Sequence, residues 1–348
     1  MKLKQLLIVS VAAFPGLLKA QIPQKYIIPH SVKIMADNIL TYTENNVRKT
    51  FSIKPGDTLE FTPGSRAQLQ LRNFNGLPNL PIVITHKVGS ITTIDHTEDG
   101  ATYGMALSGC KYMYLLGNRN NTTRNDTVNY YGLKIRMEQA NTLLGGTEGT
   151  SDIKIQGMEF YGPITPLVGT EPGPAISIKS NQECKQGVAV RYTRETFLLT
   201  NVTIQDNLFK NSGLESIYIG TANSKPVIVK CDVDQITEII PIFDKITGQL
   251  ISVDQITRNV TGTIDTLYPH YVDNVNINNN LIFNSGGDGI QVSLSSNASI
   301  KNNIISHYGV LNLRDDVYGI SFGNSSGEIL NNYIGIGVGN GDRKSPAL

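Results

Sequence analysis

The 348-residue sequence contains no tryptophan, only three cysteines, and charged side chains at only 17% of positions. So low a charge content excludes a disordered, self-repelling tail. Cys110, Cys184 and Cys231 are widely spaced. They form no CxxC metal pattern, and any disulfide would leave one thiol over, so they read as small buried residues. Thirty Lys and Arg stand against 29 Asp and Glu, so neither nucleic acid nor an anionic membrane is an expected partner. Beyond the first twenty residues no run approaches the length of uninterrupted apolar sequence that a membrane span needs.

Those first twenty residues read as an export signal. Lys2 and Lys4 precede an apolar run from Leu6 to Phe14, and Leu18-Lys19-Ala20 follows it. Removing Lys2, Lys4 and Lys19 changes the balance to 27 against 29. The mature chain is expected to be exported, to the periplasm, the cell surface or the medium.

What the sequence has in excess is Gly, at 33 residues, and Asn, at 32. Both accept turns and positive φ, so the chain must turn often. The asparagines also recur in register. Ile204–Phe209 (IQDNLF), Ile277–Ile282 (INNNLI), Ile300–Ile305 (IKNNII) and Ile329–Ile334 (ILNNYI) each place an Asn at the same offset: Asn207, Asn280, Asn303 and Asn332. A second template, a small residue followed by alternating apolar positions, recurs at Tyr103–Leu107, Tyr131–Ile135, Pro174–Ile178, Glu215–Ile219, Asp288–Val292 and Tyr318–Phe322. Asn207 to Glu215 and Asn280 to Asp288 are equal steps. Short alternating strands at repeated intervals, separated by Asn and Gly turns, describe the coils of a solenoid. Equivalent amides would then stack along its axis and bond to one another.

These residues resemble the right-handed parallel β-helix of the pectate-lyase-like superfamily. The resemblance implies an all-β, single-chain solenoid over residues 51–340. Residues 21–50 are expected to form its N-terminal cap, with Phe51–Ile53, Leu59–Phe61 and Leu69–Leu71 as the opening coil. Residues 221–271 read as a loop insertion of β-hairpins turning at Thr247-Gly248, and 341–348 as a C-terminal tail. The last coil needs a cover: that tail, another subunit, or sequence beyond Leu348. Otherwise the chain is expected to be a monomer.

The aligned strands stack Pro174, Glu215, Asp288 and Tyr318. Two neighbouring carboxyls suit glycoside hydrolysis, with Asp288 as general acid and Glu215 orienting water. The column resembles in part that of polygalacturonases: Gly287-Asp288-Gly289 matches one Asp of their Gly-Asp-Asp motif. Leu214-Glu215-Ser216 and Tyr318-Gly319 stand where Asn-Thr-Asp and His-Gly would. Pectate and alginate lyases on the same fold imply β-elimination instead, with Tyr318 handling the proton and Lys179, Lys210, Lys225 and Arg314 near the groove. Asp316 is a further candidate contact to substrate. Glu215, Asp288, Asp315 and Asp316 have the hard oxygens that Ca²⁺ takes, although no cofactor is required.

Blander readings stand beside these. Asp288 between glycines is good turn chemistry, Glu215 an exposed carboxylate, the recurring tyrosines packing, and Arg314-Asp315-Asp316 a solvated loop. The expected partner is an extracellular, uronate-containing polysaccharide that the chain cleaves. The alternative is a non-catalytic surface or adhesion module that binds glycan or protein.

Overall fold

The computed structural model describes residues 22–96, 103–118, 123, 129–136, 142–147, 149–162, 173–179, 199–221, 271–311 and 317–337, together with the strands Cys184–Lys185, Gly187–Tyr192, Val227–Phe243 and Leu250–Leu267. From Thr58 onward, successive turns of the chain lay one strand on each of three long sheets in the same order. The first sheet includes Lys25–Ile28, Thr58–Phe61, Ile82–His86, Lys111–Leu116, Ser151–Gln156, Thr200–Gln205, Val272–Asn278, Ala298–Lys301 and Gly327–Leu330. The second follows with strands from Gly64–Ala67 to Tyr333–Ile334, and the third with strands from Ile34–Ala36, which pairs in parallel with Leu69–Arg72, to Ile320–Gly323. Strands of neighbouring coils pair in parallel throughout, as between Thr200–Gln205 and Val272–Asn278. This is the expected all-β parallel helix.

Alternation explains why these segments are strands and where the core lies. In Ile176–Lys179 the two isoleucines point inward and Ser177 and Lys179 outward, because successive side chains of a strand face opposite sides. Ile178 then stacks beneath Ile219 and Val292, and Ile204 beneath Ile277 and Ile300, all buried. Phe160 and Phe209 stack with ring centroids 5.0 Å apart. The interior is therefore one continuous core built of parallel apolar columns.

The corner between the first and second sheets is the tightest. It has two residues in five coils: Gly157-Met158, Asp206-Asn207, Asn279-Asn280, Asn302-Asn303 and Asn331-Asn332. The first residue of each pair has positive φ, between +55° and +65°, which Gly, Asn and Asp tolerate best. The second carries the ladder. Asn207 Nδ2 donates to Asn280 Oδ1 at 3.1 Å, Asn280 Nδ2 to Asn303 Oδ1 at 3.0 Å, and Asn303 Nδ2 to Asn332 Oδ1 at 2.9 Å. Each Oδ1 also accepts the backbone N–H of the preceding ladder residue, and each Nδ2 donates to a strand carbonyl of the previous coil, such as Ile204 O at 2.9 Å for Asn280. The ladder begins where Met158 N donates to Asn207 Oδ1 at 2.9 Å.

Several expectations shift. Lys25–Ile28 pairs in parallel with Thr58–Phe61, so the first rung lies inside the segment expected to be only a cap. Phe51 belongs instead to the antiparallel hairpin Ile39–Glu44/Val47–Ser52, which covers that end. Tyr131 does not join the column of Tyr103 and Tyr318: it leads into Leu133–Arg136 on the second sheet, because residues 117–132 lengthen the corner before it. Within 221–271 the strands Val227–Phe243 and Leu250–Leu267 form one long antiparallel hairpin, and Thr247-Gly248 lies outside the described residues. Gly187–Tyr192 pairs alongside that hairpin, so an earlier connection joins the same side sheet. Cys110 is buried, and burial pushes its thiol up to about 11. At the far end the inward residues Ile329 and Ile334 are only partly buried; the expected tail lies outside the described residues.

The ladder makes a graded prediction. Asn280→Ala removes a bonded amide at 0% exposure and leaves the Asn207 backbone N–H without its acceptor, so it should cost about 3 kcal/mol or more. Asn332→Ala, at the partly exposed end of the ladder, should cost about 1–2 kcal/mol. Chemical denaturation of both variants checks the order.

Candidate functional site

On the third sheet Ile176 pairs with Ile217, Ile217 with Ile290, and Ile290 with Ile320. Two residues upstream, Pro174, Glu215, Asp288 and Tyr318 therefore stack as the spacing requires. Backbone bonds hold the column: Ala175 N to Glu215 O at 3.0 Å, Ser216 N to Asp288 O at 3.2 Å and Gly289 N to Tyr318 O at 3.0 Å. Residues 73 apart in sequence become neighbours only because the intervening chain leaves the coil and returns to it.

Within the column the two carboxyls have different surroundings. Asp288 is 4% exposed, and its Oδ1 accepts the backbone N–H of Tyr318 at 2.7 Å. Its carbonyl accepts Ser285 Oγ, also at 2.7 Å. Ser285 in turn bonds Ser216, and Ser216 bonds Ser212, both at 2.9 Å. This serine chain and the Asp288 carboxylate tie one corner to the next. A charge-assisted bond to a buried N–H is among the stronger hydrogen bonds available. Glu215 and Tyr318 are half-buried at the same edge.

The outward face beside this edge is lined in register by Gly145, Ser177, Tyr218, Gln291 and Ser321. Ser177 is 5% exposed, and its hydroxyl has no hydrogen-bond partner among the described residues. Long connections flank this stretch of the sheet on both edges. Residues 162–175 and 307–319 enter it from the second sheet, and 180–199 and 221–271 leave it for the first. In the same coils the remaining corner has only two residues. Gly220 marks the start of the longest connection: its φ is +92°, and a Cβ there would lie 1.8 Å from Ser293 O.

Of the expected cations, Lys179 is exposed on this sheet, opposite Gly220. Lys210 is elsewhere, on the second sheet, 4.0 Å from Glu159. Lys225, Arg314, Asp315 and Asp316 lie outside the described residues. Among the described residues no three His, Cys, Asp or Glu side chains come together as metal ligands, so Glu215 and Asp288 do not by themselves make a Ca²⁺ cage.

A charged cluster escaped the sequence reading. Glu159, 1% exposed, receives Lys134 at 3.0 Å and Arg136 at 2.6 Å on the outward face of the second sheet. Burial pushes the Glu159 carboxyl up, but hydrogen bonds and charge from Lys134 and Arg136 outweigh it and hold the group below its usual range. The only available signal was Lys134 and Arg136 at alternate strand positions; their partner is 23 residues or more further on and reached by register alone.

Because the folded-state pKa of Glu159 is lowered, its contribution is fully present above the ordinary carboxylate range and is lost as pH falls through the folded value. Glu159→Gln should cost about 3 kcal/mol at pH 7, since it removes the buried carboxylate that both Lys134 and Arg136 pair with. The penalty should shrink towards pH 3, as thermal melts of both proteins across that range would show.

The family described as "Right handed beta helix region" matches residues 146–341, more than half of the chain. No curated protein matches. Among solved structures, the alginate lyase from Paenibacillus sp. str. FPU-7 is similar over 80% of this chain and 91% of its own, with 13% identity and a TM-score of 0.31. Stacked parallel sheets, the continuous Asn column and the family match agree: the chain belongs to the right-handed β-helix family.

Proposed function

We propose that the chain is an exported protein that lays an acidic polysaccharide along the outward face of its third sheet and cleaves it there. The observation that carries this reading is the placement of the long connections. Four of them border the one stretch of sheet that holds Glu215, Asp288, Tyr318 and Lys179. Loops gathered on one side of a solenoid build its binding surface. A straight row of rungs about 4.8 Å apart suits a linear polymer, because successive sugar units meet successive rungs.

Elimination fits this edge better than hydrolysis. Hydrolysis needs a carboxyl free to give its proton to the leaving oxygen, and Asp288 is sunk in the corner with Oδ1 on the Tyr318 backbone. Its role in this reading is to position Tyr318. In elimination the proton α to the uronate carboxyl is removed, the glycosidic C–O bond breaks, and a carbon–carbon double bond remains. Tyr318, entering as the phenolate, takes the α proton and passes it to the departing oxygen, so that it ends the step as it began, and Lys179 faces the uronate charge. Glu215, half-buried at the same edge, contacts the sugar hydroxyls.

The test is a screen of uronate and neutral polymers with the mature protein, scored for both unsaturated uronate and reducing ends. Unsaturated product should form, and Tyr318→Phe should slow it about a hundredfold or more with the melting temperature unchanged. Glycan binding with no product of either kind removes the cleavage and leaves a binding module.

A further inference from the structure

We propose that the outward face of the first sheet carries a second saccharide site, built around Tyr112 and Tyr114 and separate from the third-sheet groove. It stands whether or not that groove cleaves anything.

The first observation is backbone strain. Tyr112, Asp152, Asn201, Asn274 and Asn297 form one column on successive coils, and all five have positive φ, from +52° to +56°. Four of the five are Asp or Asn, the types that accept this conformation. An aromatic side chain there is an outlier, and such strain is retained where a site uses it. The amides serve the fold: Asn274 Nδ2 donates to Asn201 Oδ1 and Asn201 Nδ2 to Asp152 Oδ1, both at 2.6 Å. An Asn at 112 would suit the same conformation, so the tyrosine is not explained by the turn.

The second observation is a pocket at that place. A cavity of about 350 Å³ opens over Tyr112 and Tyr114, with Pro78 and Pro81 on one side and Asp152, Lys154 and Asn201 on the other. Its wall is fixed in place. Lys111 N donates to Phe74 O and Gly76 N to Lys111 O, both at 2.9 Å, while Leu77 and Leu80 exchange backbone bonds at 3.1 and 3.0 Å. Gly76 packs so closely that a Cβ would lie 2.5 Å from Tyr112 O. The loop that carries the prolines is therefore clamped to the strained residue itself.

The chemistry of the lining selects the occupant. Two tyrosines, at alternate positions of one strand, offer apolar ring faces to the C–H side of a pyranose. Asp152 and Asn201 offer acceptor and donor to its vicinal hydroxyls. Burial and, next, the Asp152 charge hold the Tyr112 phenol above its usual range, so it remains a neutral hydroxyl. Lys154 Nζ sits 5.8 Å from the Tyr114 ring centroid, where it can receive a carboxylate or a hydroxyl. A pocket this small with few convergent polar groups fits one or two sugar rings rather than a folded partner.

The experiment is affinity electrophoresis of the mature protein in gels containing alginate, polygalacturonate or galactomannan, against a gel with none. Retardation is expected in at least one gel; acidic polymers alone would assign Lys154 to a carboxylate, and the neutral polymer to a hydroxyl. Tyr114→Ala and Tyr112→Asn should each weaken it about tenfold, while Tyr333→Ala, at an exposed tyrosine of the second sheet, leaves it unchanged. Tyr112→Asn should also raise the melting temperature by about 2 °C, since it relieves the strain. Absence of retardation in every gel overturns the site. So does retardation that survives both Tyr112→Asn and Tyr114→Ala, or that only Tyr333→Ala abolishes.

Discussion

The interaction on which the rest depends is the amide-to-amide bond between coils, made where the chain turns with the fewest residues. A two-residue corner leaves backbone N–H groups inside the molecule, where water does not reach them, and each must find an acceptor. Asn207, Asn280 and Asn303 supply it at 0% exposure, and each is held in turn by the next amide. Because every ladder residue serves both its own coil and its neighbour, the corner fixes the vertical register of the stack. The apolar columns that run through Ile204 and Ile178 follow from that register. Hydrophobic burial supplies most of the driving force, but it is non-directional and would accept a slipped coil; the amides would not.

One rigid corner leaves the other two free to vary. In the coils from Ser151 onward, long connections leave from the edges of the third sheet, while the corner between the first and second sheets stays at two residues. The helix can therefore carry 51 residues between Gly220 and Val272 without losing the alignment of Glu215 and Asp288. A solenoid separates the two demands in this way: one side keeps count, and the others build surfaces. The Ser212–Ser216–Ser285 chain and the Asp288 carboxylate do at the second-to-third corner what the asparagines do at the first, with shorter side chains and a wider turn.

Exceptions to the repeat are the informative positions. Tyr112 occupies a conformation that its column otherwise gives to Asp and Asn. Glu159 and Lys134 occupy outward positions and yet are buried. Ser177 holds a hydroxyl in the third-sheet floor without a partner among the described residues. Each departs from what the coil alone requires, and each lies on an outward face of its sheet.

The four matched Ile-x-Asn-Asn-type segments and the alternating strands after them were enough to determine the class of fold, the ladder and the column through Glu215, Asp288 and Tyr318. These depend on spacing, which a chain carries in its order of residues. The placement of Tyr131 was not legible, because the longer corner before it has no repeat to count by. The first rung at Lys25–Ile28 was hidden for the same reason, since a hairpin separates it from Thr58. Nor could spacing show that Asp288 is sunk and bonded to backbone while Glu215 is half-buried, or that Lys210 lies near Glu159 on another sheet. Local periodicity decides which residues stack; burial, charge pairing and the sides of a groove arise between coils, and only the folded stack brings those coils together.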